Sequence, residues 1–141
     1  MDNFSISTID DIAIVKVDIA AATLRDSQGL WDKMAEGSIF DQPKIIIDLT
    51  PCTFIDSTFI GMIMKIFRRV SEKNGLLKLS FPQITDLESF RVIGISKIIE
   101  CFHSLEIAIE SFKPGASVPK IAIDQKSLYY TIADTKKQNK K

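Results

Sequence analysis

Apolar and polar positions follow different periods along this chain, and each period predicts an element. "FSIST" and "IAIVKV" alternate with a period of two around "IDD", which predicts a β-hairpin at the start of the chain. "TLRDSQGLWDKMAEG" puts Leu24, Leu30, Trp31 and Met34 on one helical face, with Thr23 as N-cap and Gly37 as the stop. Gly29 is a poor helix former inside that stretch. Pro43 ends the connection that follows. "KIIIDLT" is then a short, continuously apolar run, as expected of a central strand covered on both faces. The loop "PCTFID" leads into a helix from Ser57 to Lys73, and "EKNGLLKLSF" supplies a stop at Asn74-Gly75 and a strand from Leu76 to Phe81. A further helix is predicted after Pro82, capped by Thr85 with Glu88 in the capping-box position and ending at Gly94. "SKIIECF" holds a short edge strand. "SLEIAIESF" forms a last amphipathic helix with Leu105, Ile109 and Phe112 on one side.

The predicted order is therefore ββαβαβαβα. Strands that alternate with helices imply parallel pairing through crossovers, so the fold class is α/β, a mixed and mostly parallel sheet of about five strands covered by about four helices. The composition changes at Lys113. "KPGASVPK" reads as a linker, and "IAIDQKSLYYTIAD" is apolar enough to dock on something, as a strand and a short helix. "KKQNKK" reads as a solvated, frayed terminus, with a weak attraction to an anionic surface as the functional alternative.

Composition narrows the function classes. At 141 residues the chain has room for one domain with a core, and its 45% hydrophobic and 26% charged residues make a globular balance. A net charge of zero, with no basic excess, argues against direct nucleic-acid binding. No apolar run approaches the ~20 residues of a membrane span. "MDNFSIST" lacks the pattern of a signal peptide, so a cytoplasmic location is the default. Cys52 and Cys101 are far apart and read as buried apolar side chains. With His103 as the single histidine, no metal site is expected. No phosphate-binding loop, dinucleotide fingerprint or nucleophile elbow is present, so no catalytic residues and no cofactor are assigned.

The candidate chemistry lies in a polar island, Asp56-Ser57-Thr58, set between apolar neighbours. In the structural reading Asp56 is an N-cap, worth about 1 kcal/mol, and the two hydroxyl residues are the first helical turn. The helix behind them argues for more. Ile60, Ile63, Met64, Phe67 and Val70 form an arc that would seat it on the sheet. Phe59, Met62 and Ile66 form an adjoining arc, to be covered by a neighbouring helix or by a partner protein. Together they span roughly 200°, about twice what a surface helix needs. A hydroxyl at the start of such a helix sits at the sheet's carboxyl edge, where open α/β folds bind ligands. A phosphate on Ser57 would add roughly 1.5 to 2 negative charges beside Asp56 and an apolar surface, and so would spoil docking more than folding.

"FIDSTFIG" resembles the phosphorylation motif of STAS domains of the anti-sigma factor antagonist family. "KIIIDLTPCTFIDS", "KNGLLKLSF" and "FRVIGISKII" are similar to the family's third strand and loop, its fourth strand and the segment after it. The resemblance covers roughly residues 4–112, which divides the chain into a STAS-like domain, 1–113, and a linker and basic-ended tail, 114–141. It implies that Ser57 is phosphorylated by a partner kinase and that Asp56, Thr58, Phe59, Gly61 and Met62 contact the partner. Phe59 stands where a glycine is usual, and Ala20 where an Asp often lies near the phosphosite. The implied partners are an anti-sigma factor that is itself a serine kinase, and a serine phosphatase that resets the switch. Two other readings stay open: a constitutive STAS-like subunit of a transport or stress-signalling assembly, and a carrier of a small apolar ligand. Oligomeric state is left open.

Overall fold

The structure, a computed structural model, describes residues 3–82, 94–123 and 130–133, with side chains as far as Ile121. The predicted hairpin is present. Strands β1 (Phe4–Ile9) and β2 (Ile12–Val17) pair antiparallel from Ile9↔Ile12 to Phe4↔Val17. Asp10 and Asp11 form the loop, with φ of 52° and 69°. Two left-handed residues give a two-residue loop the twist its strands require, and Asp tolerates that conformation because its short polar side chain bonds locally.

A short strand, β3 (Ala21–Ala22), precedes helix α1 (Leu24–Glu36). Leu30 and Met34 are fully buried, whereas Leu24 is 67% exposed, so the apolar face begins a turn later than expected. Gly29 has a packing reason. A Cβ there would lie 3.1 Å from the Phe4 ring, so the glycine lets α1 close onto β1. A 3-10 turn (Ile39–Asp41) leads to β4 (Lys44–Asp48), then β5 (Phe54–Ile55), helix α2 (Ser57–Glu72) and β6 (Leu76–Ser80). The stop after α2 divides its work between two residues. Asn74 takes φ 65°, and Gly75 leaves room that a Cβ would lose, 2.9 Å from Val70 and 3.1 Å from the Gln42 carbonyl.

The helix expected from Thr85 and Glu88 lies outside the described residues apart from its end. Residues 94–96 are helical, so Gly94 is not the stop. Strand β7 (Cys101–Phe102), helix α3 (Leu105–Glu110), β8 (Lys120–Ile123) and β9 (Tyr130–Ala133) complete the order. In the tail a strand stands where a short helix was expected, and β8 and β9 pair antiparallel.

The main sheet runs β1-β2-β4-β6-β7, with every pairing after the first hairpin parallel. β4 is central and Ile45 to Asp48 are buried, as its continuous apolar run predicts. One face carries α1, α2 and residues 95–99 over a large core that includes Val15, Ile47, Leu79 and Phe81. The other face carries α3 over a smaller cluster of Ile12, Ile14, Ile46, Phe102 and Ala108.

α2 sits differently from the expected arcs. Phe59, Ile63, Ile66 and Val70 have no exposure, whereas Ile60, Met62, Met64 and Phe67 are partly buried. The helix turns the middle of its wide apolar sector inward and leaves both edges half exposed. Phe59 and Ile66 are thus covered within the chain.

Candidate functional site

The site is built by a second, two-stranded sheet. β3 pairs parallel with β5, Ala21↔Phe54 and Ala22↔Ile55. The Ala20 carbonyl accepts from the Thr53 and Phe54 N–H groups at 2.7 and 3.1 Å and from the Thr53 hydroxyl at 3.1 Å. The Asp56 N–H donates to the Ala22 carbonyl at 3.0 Å. These bonds set the first turns of α1 and α2 side by side.

Asp56 joins them. Its Oδ1 accepts from the Phe59 N–H at 2.8 Å and its Oδ2 from the Leu24 N–H at 3.0 Å. Each helix starts with N–H groups that have no partner inside the helix, and one carboxylate satisfies a donor of both. Its charge faces two positive helix ends. The first residue of the polar island is therefore a clamp between two helices. At α1 the Asp26 carboxylate adds a local cap, accepting from the Thr23 N–H at 3.1 Å.

The remaining predicted residues divide. Ser57, Thr58 and Gly61 are exposed on α2. A Cβ on Gly61 would meet nothing within 4 Å, so the fold does not require a glycine there. Met62 is half buried, on the edge of the apolar sector away from Ile60 and Met64. Phe59 is a correction. With 0% exposure it is a core residue, and it presents no surface to a partner. It is two residues from Ser57, but a residue two on in a helix points to another side.

Ser57 instead adjoins residues that the sequence reading did not name as a site. Ser57, Ile60 and Met64 form one wall of an apolar depression of about 210 Å³, and Gly94, Ile95 and Ile98 form the other. Ile98 is 54% exposed and Ile95 only 3%. The signal available in the sequence was the spacing 57, 60, 64, which puts the hydroxyl and two apolar side chains on one helical stripe.

Nothing else in the described residues suggests a reactive centre. His103 lies between β7 and α3; burial holds its imidazole below the ordinary value, against a smaller opposing effect from a bond with the Pro82 backbone. Burial pushes the Cys52 thiol up to about 12. Among the described residues no cluster of His, Cys, Asp and Glu has the makings of a metal site, and no helix is long and apolar enough to cross a membrane.

Comparison with known proteins agrees with the topology. The fold is similar to that of a Thermotoga maritima protein assigned as an anti-sigma factor antagonist, at 20% identity and a TM-score of 0.64, over 77% of this chain and 92% of that one. An anti-sigma factor antagonist from Mycobacterium paratuberculosis gives 14% identity and 0.63, over 77% and 91%. The antagonist SpoIIAA in its unphosphorylated form gives 12% and 0.59, over 80% and 99%. No curated protein sequence matches the chain. The STAS domain, by contrast, matches residues 4–108, which hold the five-stranded sheet, the double-capping Asp56 and the exposed Ser57. The chain belongs to the STAS domain family.

Proposed function

We propose that this protein is a cytoplasmic anti-sigma factor antagonist, a binding module without chemistry of its own. In this reading it docks on an anti-sigma factor that is also a serine kinase, and phosphorylation of Ser57 ends the association until a serine phosphatase resets it. One observation carries the reading: an exposed serine on the rim of an apolar depression, at the first residue of a helix held rigidly by Asp56. The anti-sigma factor antagonists of similar fold support it.

The physics of the switch follows from that placement. Docking removes water from Ile60, Met64 and Ile98, and each 100 Å² of apolar surface so covered contributes about 2.5 kcal/mol. A phosphate on Ser57 puts roughly 1.5 to 2 negative charges at the edge of that surface, where they lose hydration on docking. Inside the free domain the same charge lies at the N-terminus of α2, which favours it by about 0.3–1 kcal/mol. The fold keeps its stability and the association does not. Asp56 is the scaffold of the serine rather than a competing ligand, because each of its oxygens already accepts a backbone N–H. Phe59 neither blocks the serine nor anchors a partner, because its side chain is buried in the core.

The test is a binding titration against the cognate kinase. Ser57→Ala is expected to keep the affinity of the unphosphorylated protein, and Ser57→Asp to lose about tenfold or more. Incubation with the kinase and ATP is expected to add one phosphate, on the peptide that contains Ser57. Equal affinities for the two variants, or a phosphate on another residue, overturn the proposal.

A further inference from the structure

The STAS match ends at residue 108, yet the chain continues in ordered contact with the domain. After α3, residues 116–119 run without regular structure into β8, which lies against β7. Three side chains of this segment are anchored. Val118 packs on the small cluster that holds Phe102 and Ile46. The Lys120 ammonium lies 3.5 Å from one Glu100 oxygen, and the other oxygen receives the Lys78 ammonium at 3.1 Å. Ile121 is 2% exposed and belongs to the large core on the opposite face of the sheet. Val118 and Ile121 therefore lie on different sides of one sheet, and the segment passes around its β7 edge.

That edge needs a cover. β7 is two residues long and pairs with β6 through Leu79↔Cys101 and Ser80↔Phe102. An unpaired strand edge invites another strand. β8 pairs with β9 and does not extend the main sheet, so it shields the edge without offering a new one there. Cys101 lies on this edge strand with no exposure. Lys78 ties the arrangement to the sheet. Its ammonium also donates to the Ser111 hydroxyl at 2.9 Å and the Ser111 carbonyl at 3.2 Å, and it lies 4.2 Å from the centre of the Phe112 ring. A cleft of about 90 Å³ remains between Lys78, Glu100, Phe102 and the passing segment.

We propose that residues 113–121 form a strap that closes the β7 edge, latched by Glu100 between Lys78 and Lys120 and by Ile121 in the core, and that it opens as a unit separate from the rest of the fold. The strap is part of the domain rather than a linker. Its opening uncovers Cys101 and leaves Cys52, which is buried in the loop before β5, still covered. The proposal does not depend on Ser57.

The two cysteines report the opening directly, because a covered thiol reacts only through opened molecules. The full chain is treated with iodoacetamide under native conditions, and the modification rate of each cysteine is followed by peptide mass. Ile121→Ala removes a buried anchor and is expected to speed Cys101 by roughly thirtyfold or more. Lys120→Ala breaks an exposed ion pair and is expected to speed it by about threefold or less. Cys52 is expected to keep its wild-type rate in both. A Cys101 rate that Ile121→Ala leaves unchanged overturns the strap. Equal acceleration of both thiols also overturns it, because the anchor then holds the whole fold and not a separate unit.

Discussion

The middle of the apolar sector of α2 and its edge toward residues 94–98 make the sharpest contrast in the molecule. Toward α1 and the sheet, Phe59, Ile63, Ile66 and Val70 are sealed in the core, and Trp31 packs its ring 4.6 Å from that of Phe40 close by, with the Lys65 ammonium 5.6 Å from the Trp31 ring. On the side of residues 94–98, Ile60 and Met64 stay half exposed around an open depression with Ser57 at its end. One helix thus carries more apolar surface than its fold uses. The covered part contributes folding energy, and the uncovered part is the surface that the proposed association would use. The contrast breaks if both sides matter equally to stability. Phe59→Ala is expected to cost about 4 kcal/mol, the scale of emptying a filled aromatic site. Met64→Ala is expected to cost about 1 kcal/mol or less, since its side chain is only partly buried. Urea unfolding measures both, and similar losses would remove the distinction between the sealed and the open part of the helix.

A second contrast separates neighbours in the polar island. Asp56 holds two helices and Ser57 holds neither. Asp56→Ala leaves the Phe59 and Leu24 N–H groups without their acceptor and is expected to cost about 2 kcal/mol, the sum of a typical cap and one further bond. Asp56→Asn keeps one carbonyl oxygen and is expected to cost about half as much. Ser57→Ala is expected to change stability by less than about 0.5 kcal/mol. Amide exchange resolves where the loss falls. The Leu24 and Phe59 amides should exchange faster in Asp56→Ala and at the normal rate in Ser57→Ala. Acceleration at Phe59 alone would mean that the bond to α1 carries no weight.

The sequence made these elements legible to different degrees. Long periodic segments were readable because the apolar period is set by the element itself. The hairpin of β1 and β2, the central strand at Ile45–Ile47 and both long helices follow from it. The two-residue strands β3 and β5 were not foreseen. Ala21-Ala22 and Phe54-Ile55 are too short to show any period, and only their pairing, far apart in sequence, defines them. That pairing gives Asp56 its second helix, so a cap was readable and a clamp was not. The arcs of α2 were misassigned for a related reason. A sector of roughly 200° does not say which part faces the sheet, and the answer depends on where α1 lies. Ile98 in the depression was invisible for the same reason, because residues from two segments meet there only in the fold.

Two helical glycines give the finest test of the contrast between covered and open surface. Gly29 lies under the Phe4 ring, where a Cβ would come within 3.1 Å of it, whereas a Cβ on Gly61 meets nothing. Gly61→Ala therefore gains helix propensity without a clash and is expected to raise stability by about 0.5–1 kcal/mol. Gly29→Ala gains the same propensity and must displace the Phe4 ring, so its net effect is expected to be smaller or unfavourable. A glycine that weakens a helix and fills no packing need is best explained by something outside the chain that comes close to the backbone. Gly61 is exposed and one helical turn from Ser57. A methyl group there is expected to weaken docking on the proposed kinase partner while it stabilises the free domain, so affinity and stability move in opposite directions. If Gly61→Ala gains stability and binds as tightly as the wild type, the partner does not approach the backbone at Gly61, and the docking surface is confined to the depression lined by Ile60, Met64 and Ile98.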